Sequence, residues 1–327
     1  MLLPPMRKVL VIITNPRQAS YRLRIEALRE PLAARGIELD VHIRPHFWLA
    51  RRSLLKSAGK YDATILQRKF LDPSDAQLLG RHAGKILYDI DDAVMYHAHR
   101  VGVISQWRTT RRFEATARIL DHVVAGNDYL AEMFRQRGRS VTILPTCVDP
   151  AHYQVKEHAH TDAIRLVWIG SGSTLPYLTD ILPALRQIPN LQLMTIADRT
   201  LENSGLKIEH IPWSLESESA ALARGDIGIA PTPDDRWTRG KCGFKIIQYM
   251  AAGLPVIASP VGANAQIVRE GQTGFLATTT PQWEMAIRAL AADVGLRGRL
   301  GQAGRECVER EYAINRAIQT WADLLSR

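Results

Sequence analysis

The sequence predicts an α/β protein of two Rossmann-like, doubly wound lobes. Three observations carry that prediction. Short β-branched runs alternate with segments of helical apolar spacing; the alternation stops at a polar stretch and then restarts. The length of 327 residues also exceeds the roughly 250–300 residues that one hydrophobic core organises.

In the first half the strand-like runs are Lys8–Thr14, Ala63–Gln67, Lys85–Ile90, His122–Ala125 and Val141–Pro145. Arg24–Arg35 places Ile25, Leu28 and Leu32 on one helical face. The stretch Asp149–Asp162 (DPAHYQVKEHAHTD) is polar throughout and reads as a linker. Strands resume at Arg165–Gly170, Leu191–Ala197, Lys207–Trp213, Asp226–Pro231, Leu254–Ser259 and Gly274–Ala277. From Arg305 onward, Ile314, Ile318, Trp321 and Leu325 keep helical spacing, which predicts one long terminal helix with an apolar face. The expected limits are therefore 1–155 for the first lobe, 156–304 for the second, and 305–327 for a C-terminal helix packing back toward the first.

Composition is that of a globular protein, which excludes disorder, collagen-like repeats and coiled coil as its main character. Cys147, Cys242 and Cys307 are odd in number, far apart and without metal-ligand spacing, so a reducing compartment is expected and a zinc site is not. MLLPPMRKVLVIIT lacks the order of a signal peptide, and no apolar run approaches the roughly 20 residues of a spanning helix. The expected location is cytoplasmic, with or without peripheral contact with a membrane. Charge is divided unequally. Residues 1–150 hold 24 Lys+Arg against 15 Asp+Glu, whereas 151–327 hold 18 of each. The first lobe thus carries all of the +9 net charge, which suits an anionic partner.

The most informative stretch runs from Asp226 to Ala277. A strand ends at Pro231, a loop carries Asp234, Asp235, Arg236, Arg239 and Lys241, and Gly240 and Gly243 precede an apolar helix from about Phe244 to Ala252. Such a loop offers free amides and cations to an anion, although an ordinary strand–loop–helix–strand unit with solvated charges has the same outline. A second anion candidate is WIGSGSTLPYL, where Gly170, Ser171, Gly172, Ser173 and Thr174 lead from a strand into a helix containing Tyr177 and Leu178. A simple helix cap looks the same. In the first lobe, LYDIDDAV sets Asp89, Asp91 and Asp92 at a strand end, where three mutually repelling acids call for a functional partner or neighbouring arginines. The loop TNPRQASYRLRIEAL brings Arg17, Tyr21, Arg22 and Arg24 to the carboxyl end of the first strand, where ligands of doubly wound sheets bind.

Two basic faces complete the inventory. Arg108, Arg111, Arg112 and Arg118 fall within an arc of about 120° on a helix. HFWLARRSLLKSAGK sets Arg52, Lys56 and Lys60 beside Phe47, Trp48 and Leu49, as in an interfacial membrane helix or a solvated helix packed on its own lobe.

QYMAAGLPVIAS and IVREGQTGFLA resemble the signature of the retaining glycosyltransferases of family 4, which have the GT-B fold. That signature runs acid, Phe-Gly, a second acid eight residues after the first, then Ala-Met-Ala-x-Gly-x-Pro-Val. Here the first acid aligns with Gly240, the Phe with Cys242 and the second acid with Gln248. The resemblance implies two lobes facing a cleft, with transfer of a sugar from a nucleotide-diphosphate donor, UDP-linked by preference, to a glycan, lipid-linked or phosphorylated acceptor. It implies retention of anomeric configuration and no essential metal or other cofactor. The donor would be held by Gly170–Thr174, Arg239, Lys241, Gly243, Phe244, Lys245 and Gln248, the amide of Gln248 replacing the acid that holds the ribose. Asp91 and Asp92 match the His-Asp pair that faces the acceptor, and so are the catalytic candidates. Arg17, Tyr21 and Arg22 are the acceptor-binding candidates, and no metal ligand is expected. Cell-envelope polysaccharide synthesis suits such an enzyme.

Two alternatives stay open. Asp89, Asp91 and Asp92 could hold a divalent metal against a diphosphate, as in glycosyltransferases of the other fold, GT-A. The loss of both family acids also suits a non-catalytic nucleotide-sugar-binding protein on the GT-B fold. Nucleic acid is not an expected partner, since no recognised motif accompanies the basic charge.

Overall fold

The structure, a computed structural model, describes residues 6–96, 102–202 and 205–326. The chain forms two compact units. The first comprises the chain through Cys147, Arg239–Cys242 and the segment from Ile314 onward; the second comprises Val148–Thr238 and Gly243–Ala313.

The first unit is built in the order β1 (Arg7–Ile13), α1 (Ala19–Tyr21), α2 (Ala27–Ala33), β2 (Ile37–Ile43), α3 (Trp48–Ser57), β3 (Ala63–Gln67), α4 (Pro73–His82), β4 (Ile86–Ile90), α5 (Val103–Ile119), β5 (His122–Ala125), α6 (Asp128–Arg135) and β6 (Ser140–Ile143). All pairings are parallel, in the order β2-β1-β3-β4-β5-β6. The apolar runs are buried on both faces, as parallel strands require. The sequence missed β2. Its alternation of Ile37 and Leu39 with the acids Glu38 and Asp40 is that of an edge strand, partly solvated on one face. A π-helical turn, Arg22–Glu26, joins α1 to α2 and carries Arg24 into the interior.

The second unit continues with β7 (Ile164–Ile169), α7 (Leu182–Leu185), β8 (Leu191–Ala197), β9 (Ile208–Pro212), α8 (Glu218–Ala223), β10 (Ile227–Ala230), α9 (Phe244–Ala251), β11 (Val256–Ala258), α10 (Asn264–Ile267), β12 (Gly274–Leu276), α11 (Thr280–Ala292) and α12 (Val294–Cys307). Its sheet is parallel throughout, ordered β12-β11-β10-β7-β8-β9. Thr279 and Gln282 close a capping box at the start of α11. The helix expected around Tyr177 is instead a 3₁₀ turn, Leu175–Ile181, followed by the short α7. Pro183 removes an amide from the ladder a longer α-helix would need.

The expected boundaries need adjustment. The stretch after Cys147 is no free linker: Lys156 donates its amide to the Ala252 carbonyl (2.9 Å), the His158 ring meets the Gly253 carbonyl (2.9 Å), and Tyr153 is buried. Polar composition concealed these attachments to the second unit. The terminal segment is not one helix either. α12 ends at Cys307, a π-helical turn spans Val308–Tyr312, and α13 (Ile314–Ser326) restarts after an extended Ala313. Ile318, Trp321 and Leu325 of α13 are buried with Leu28 and Leu32 of α2 within the first unit.

No described helix is long and apolar enough to cross a membrane. The three cysteines are free and buried. Burial pushes the Cys242 thiol well above its ordinary value, Asp91 adding to the effect.

Candidate functional site

In each sheet the strand order reverses beside the first strand of the unit, and ligands of doubly wound folds bind at the carboxyl ends there. In the second unit that point lies between β7 and β10. β7 delivers Trp168 and Ile169, then the loop Gly170–Thr174. The loop hydroxyls of Ser171 and Ser173 bond each other (2.7 Å), and the Gly172 amide donates to the Asp198 carboxylate. Part of the expected anion cradle therefore already holds a carboxylate.

α9 enters from Gly243, whose φ of +63° suits glycine and where a Cβ would meet Ile267 Cδ1 at 2.5 Å. No side chain caps the helix. Lys245, on its first turn, rests its ammonium 4.3 Å from the Trp168 ring centroid. It is thus held at the end of β7, beside the Gly170–Thr174 loop. Phe244 packs against the core one position earlier.

One turn on, Gln248 is buried, and its Nε2 donates to Glu218 Oε1 (3.1 Å) and to the Tyr153 hydroxyl (3.4 Å). The other oxygen of Glu218 accepts from Trp213 Nε1 (2.7 Å), an exposed indole just past β9. Sequence reasoning found Gln248 but not Glu218 or Trp213. A carboxylate therefore stands beside Gln248, although the position itself carries none. Only the pairing across α8 and α9 reveals it.

Arg239 and Lys241, expected with this group, lie in the segment Arg239–Cys242 that belongs to the first unit. Asn127, which caps α6 through its Oδ1, donates its Nδ2 to the Lys241 carbonyl (2.9 Å), and Cys242 Sγ donates to the Asp91 carbonyl (2.9 Å). Gly240 fits against Ala93: a Cβ there would lie 2.3 Å from the Ala93 Cβ and 2.9 Å from its nitrogen. The missing first acid is thus a packing requirement, because position 240 has no room for a side chain unless the backbone moves.

The acids of LYDIDDAV take different roles. The β3–β4 register sets Gln67 opposite Asp89. Asp89 is fully buried, accepts from Arg24 Nη2 (2.6 Å) and Nε (3.0 Å), and also from Gln67 Nε2 (3.2 Å). Arg24 spends its Nη1 on the Leu144 carbonyl (2.9 Å). Burial opposes the charge on Arg24, yet Asp89 keeps its pKa raised. Asp91 and Asp92 face Arg68 instead, at 3.4 Å and 3.2 Å. Arg68 has a φ of +59°, a strained conformation for a non-glycine residue, held by its amide bond to the Asp89 carbonyl (2.9 Å) and its guanidinium bond to Ser20 Oγ (3.1 Å). The expected alternative of acids paired to arginines therefore describes the resting arrangement. Among the described residues, no group of three or more His, Cys, Asp or Glu side chains is arranged to hold a metal ion.

Burial pushes the Asp91 carboxyl above the usual carboxylate range, against the pull of Arg68. Its side chain keeps 14% exposure, and its Oδ1 has no hydrogen-bond partner among the described residues. A carboxyl that ionises less readily when folded favours the native state while protonated, and that advantage disappears as pH rises through its folded titration. Asp91→Asn should therefore raise the melting temperature at pH 7, and the gain should vanish near about pH 4. Thermal melts at both values check this; a lower midpoint at pH 7 would show that Arg68 outweighs burial.

The acceptor candidates diverge. Tyr21 is buried, its hydroxyl bonds Glu26, and burial followed by Glu26 pushes its pKa up to about 12. Arg17 is exposed, and Arg22 is half-buried on the π-helical turn.

Residues 151–293 match the family model described as glycosyl transferases group 1. That match covers most of the second unit. Among curated relatives, phosphatidyl-myo-inositol mannosyltransferase of Mycobacterium leprae is 28% identical over 144 residues, covering 41% of this chain and 37% of that protein. Sulfoquinovosyl transferase SQD2 of Arabidopsis thaliana is 27% identical over 151 residues, covering 45% of this chain and 25% of that protein. The chain thus spans well under half the length of these relatives. Sucrose-phosphate synthase of Thermosynechococcus elongatus superposes with a TM-score of 0.75 at 16% identity, covering 97% of this chain and 98% of that one. Anabaena HepE, solved with UDP-glucose, gives 0.73 at 14% identity, covering 98% and 99%. The two parallel six-stranded sheets with flanking helices match these structures and are the GT-B fold. That corrects the GT-A alternative, which belonged to a different architecture and needed Asp89 free of Arg24.

Proposed function

We propose that the protein transfers a sugar from a nucleotide-diphosphate donor, UDP-linked by preference, to an anionic acceptor: a glycan, a lipid-linked sugar or a phosphorylated molecule. The observation that carries this is that Lys245, the first turn of α9 and the Gln248–Glu218–Trp213 chain all belong to the carboxyl-end side of the second sheet. Lys245 and the helix amides would take the diphosphate. Gln248 and Glu218 would take the ribose hydroxyls, with Glu218 supplying the carboxylate that position 248 lacks. Trp213 offers a flat, exposed ring to a base. The complexes of HepE with UDP and with UDP-glucose support a UDP donor on this fold.

The first unit would bind the acceptor. Arg68, set by its strained backbone beside Asp91 and Asp92, is added to the two acids as a positioning group. Arg17 and Arg22 keep their expected roles toward the acceptor, and Arg239 and Lys241 add positive charge within that unit. The negative charge that develops on the leaving diphosphate is stabilised by Lys245 and the helix amides. Retention follows a front-face substitution in which the leaving phosphate helps remove the acceptor proton. No essential metal is proposed, because Asp89 is committed to Arg24. A cytoplasmic location and a place in cell-envelope polysaccharide synthesis accompany this assignment.

Proton NMR of the glycoside formed from a UDP-α-sugar tests both activity and stereochemistry. An α-linked product is expected. A β-linked product would overturn retention, and donor binding without transfer across a broad acceptor panel would favour a non-catalytic binding protein.

A further inference from the structure

Single exposed apolar side chains are ordinary; a cluster of them is not. Of the twelve large hydrophobic residues that stand out as exposed among the described residues, six are Phe47, Trp48, Leu49, Val103, Ile104 and Trp107. They lie at the N-terminal ends of α3 and α5, both of which pack on α4. Arg51–Asp75 (2.6 Å) and Arg112–Asp72 (2.7 Å) tie α3 and α5 to the start of α4, so the two tips share the carboxyl end of the first sheet. Val103 is 87% exposed, Ile104 68%, Trp48 57% and Trp107 55%. The remainder of α3 packs normally, with Leu55 buried. The apolar tip is therefore separate from the core face of its own helix.

Positive charge surrounds these tips. Arg52 and Lys56 follow on α3, and Arg108 and Arg111 on α5, with Arg111 stacked 4.8 Å from the Trp107 ring centroid. Beside them a cavity of about 750 Å³ is lined by Arg68, Lys69, Arg108, Arg112, Phe70 and Ile104, among others. Lys69 has its pKa lowered by burial and by the neighbouring Arg44 and Arg112, against the opposing pull of Asp72. Thr14 and Gln18 also line this cavity, which places it where the order of the first sheet reverses.

A second copy of the chain would set like charges against each other. Nucleic acid would use the cations but has no place for aliphatic tips. An anionic bilayer uses both, with aromatic side chains at headgroup level and arginines on lipid phosphates. We propose that this end of the first unit docks on an anionic lipid bilayer, inserting Phe47, Trp48, Ile104 and Trp107, with the basic cavity receiving a phosphorylated amphiphile from the surface. This deepens the acceptor half of the proposed function, whereas the docking itself does not depend on transfer.

Flotation of the full chain with vesicles of phosphatidylcholine, alone or mixed with phosphatidylglycerol, tests it. Binding to the anionic vesicles is expected to exceed binding to neutral ones by about tenfold or more. Trp48→Ser combined with Trp107→Ser should lower it by about tenfold or more. Because both side chains are exposed, this variant should keep the wild-type melting temperature. It should also keep any thermal shift caused by a UDP-sugar, which separates failure of docking from failure of donor binding. Equal binding of wild type and variant, or no vesicle binding, would overturn the proposal. So would a lipid-free dimer that the same substitutions dissolve, or tight binding to a short DNA duplex without binding to vesicles.

Discussion

Arg24→Leu is expected to destabilise the first unit by about 3–5 kcal/mol, because it leaves the Asp89 carboxylate buried with little compensation. Both side chains are almost wholly buried, at 3% and 0% exposure, and the arginine also satisfies the Leu144 carbonyl. Gln67 alone cannot replace two guanidinium bonds to a charge. The double variant Arg24→Leu/Asp89→Leu removes both charges and should recover much of the loss. Urea unfolding followed by tryptophan fluorescence reads each difference. A single variant with the wild-type midpoint would mean that the pair does not hold the sheet's carboxyl end together.

Lys245→Ala should lower kcat/KM by about 10²–10³-fold while leaving the fold intact. The ammonium lies on the Trp168 face at the β7 end, beside the uncapped first turn of α9, where a leaving diphosphate would gather charge. Losing the cation–π contact should cost only about 0.5–1 kcal/mol, so a large fall in stability is not expected. Lys245→Arg keeps the charge and should recover part of the rate. Steady-state kinetics with saturating acceptor distinguishes the outcomes. An alanine variant of near-normal rate would remove Lys245 from the mechanism.

Much of this arrangement was legible in the sequence, for identifiable reasons. The buried parallel strands read as continuous apolar runs, and the segment from Gln248 to Ser259 carried its own pattern of helix, glycine stop and strand. β2 escaped because an edge strand alternates, and its acids resemble a polar connection. The Arg24–Asp89 pair joins residues 65 positions apart, one seen as a member of a basic loop and the other of an acidic cluster. Pairing resolves both apparent excesses of charge. Glu218 looked like an ordinary acid at the start of a short helix; only the approach of α8 to α9 sets it against Gln248. Gly240 looked like the loss of the first family acid, whereas the chain there fits too tightly against Ala93 to carry one. The backbone strain at Arg68 left no mark in the sequence, since nothing about an arginine predicts a positive φ.

The claim on which the rest depends is that the second unit binds a nucleotide-linked sugar. A thermal-shift panel of UDP-, GDP-, ADP- and CMP-linked sugars tests it most directly. A donor present at about a hundred times its Kd stabilises the folded protein by about 2.7 kcal/mol. The UDP-sugars are expected to raise the melting temperature, and the effect should be lost in Glu218→Gln combined with Lys245→Ala. An unchanged melting temperature with all four classes would contradict the account.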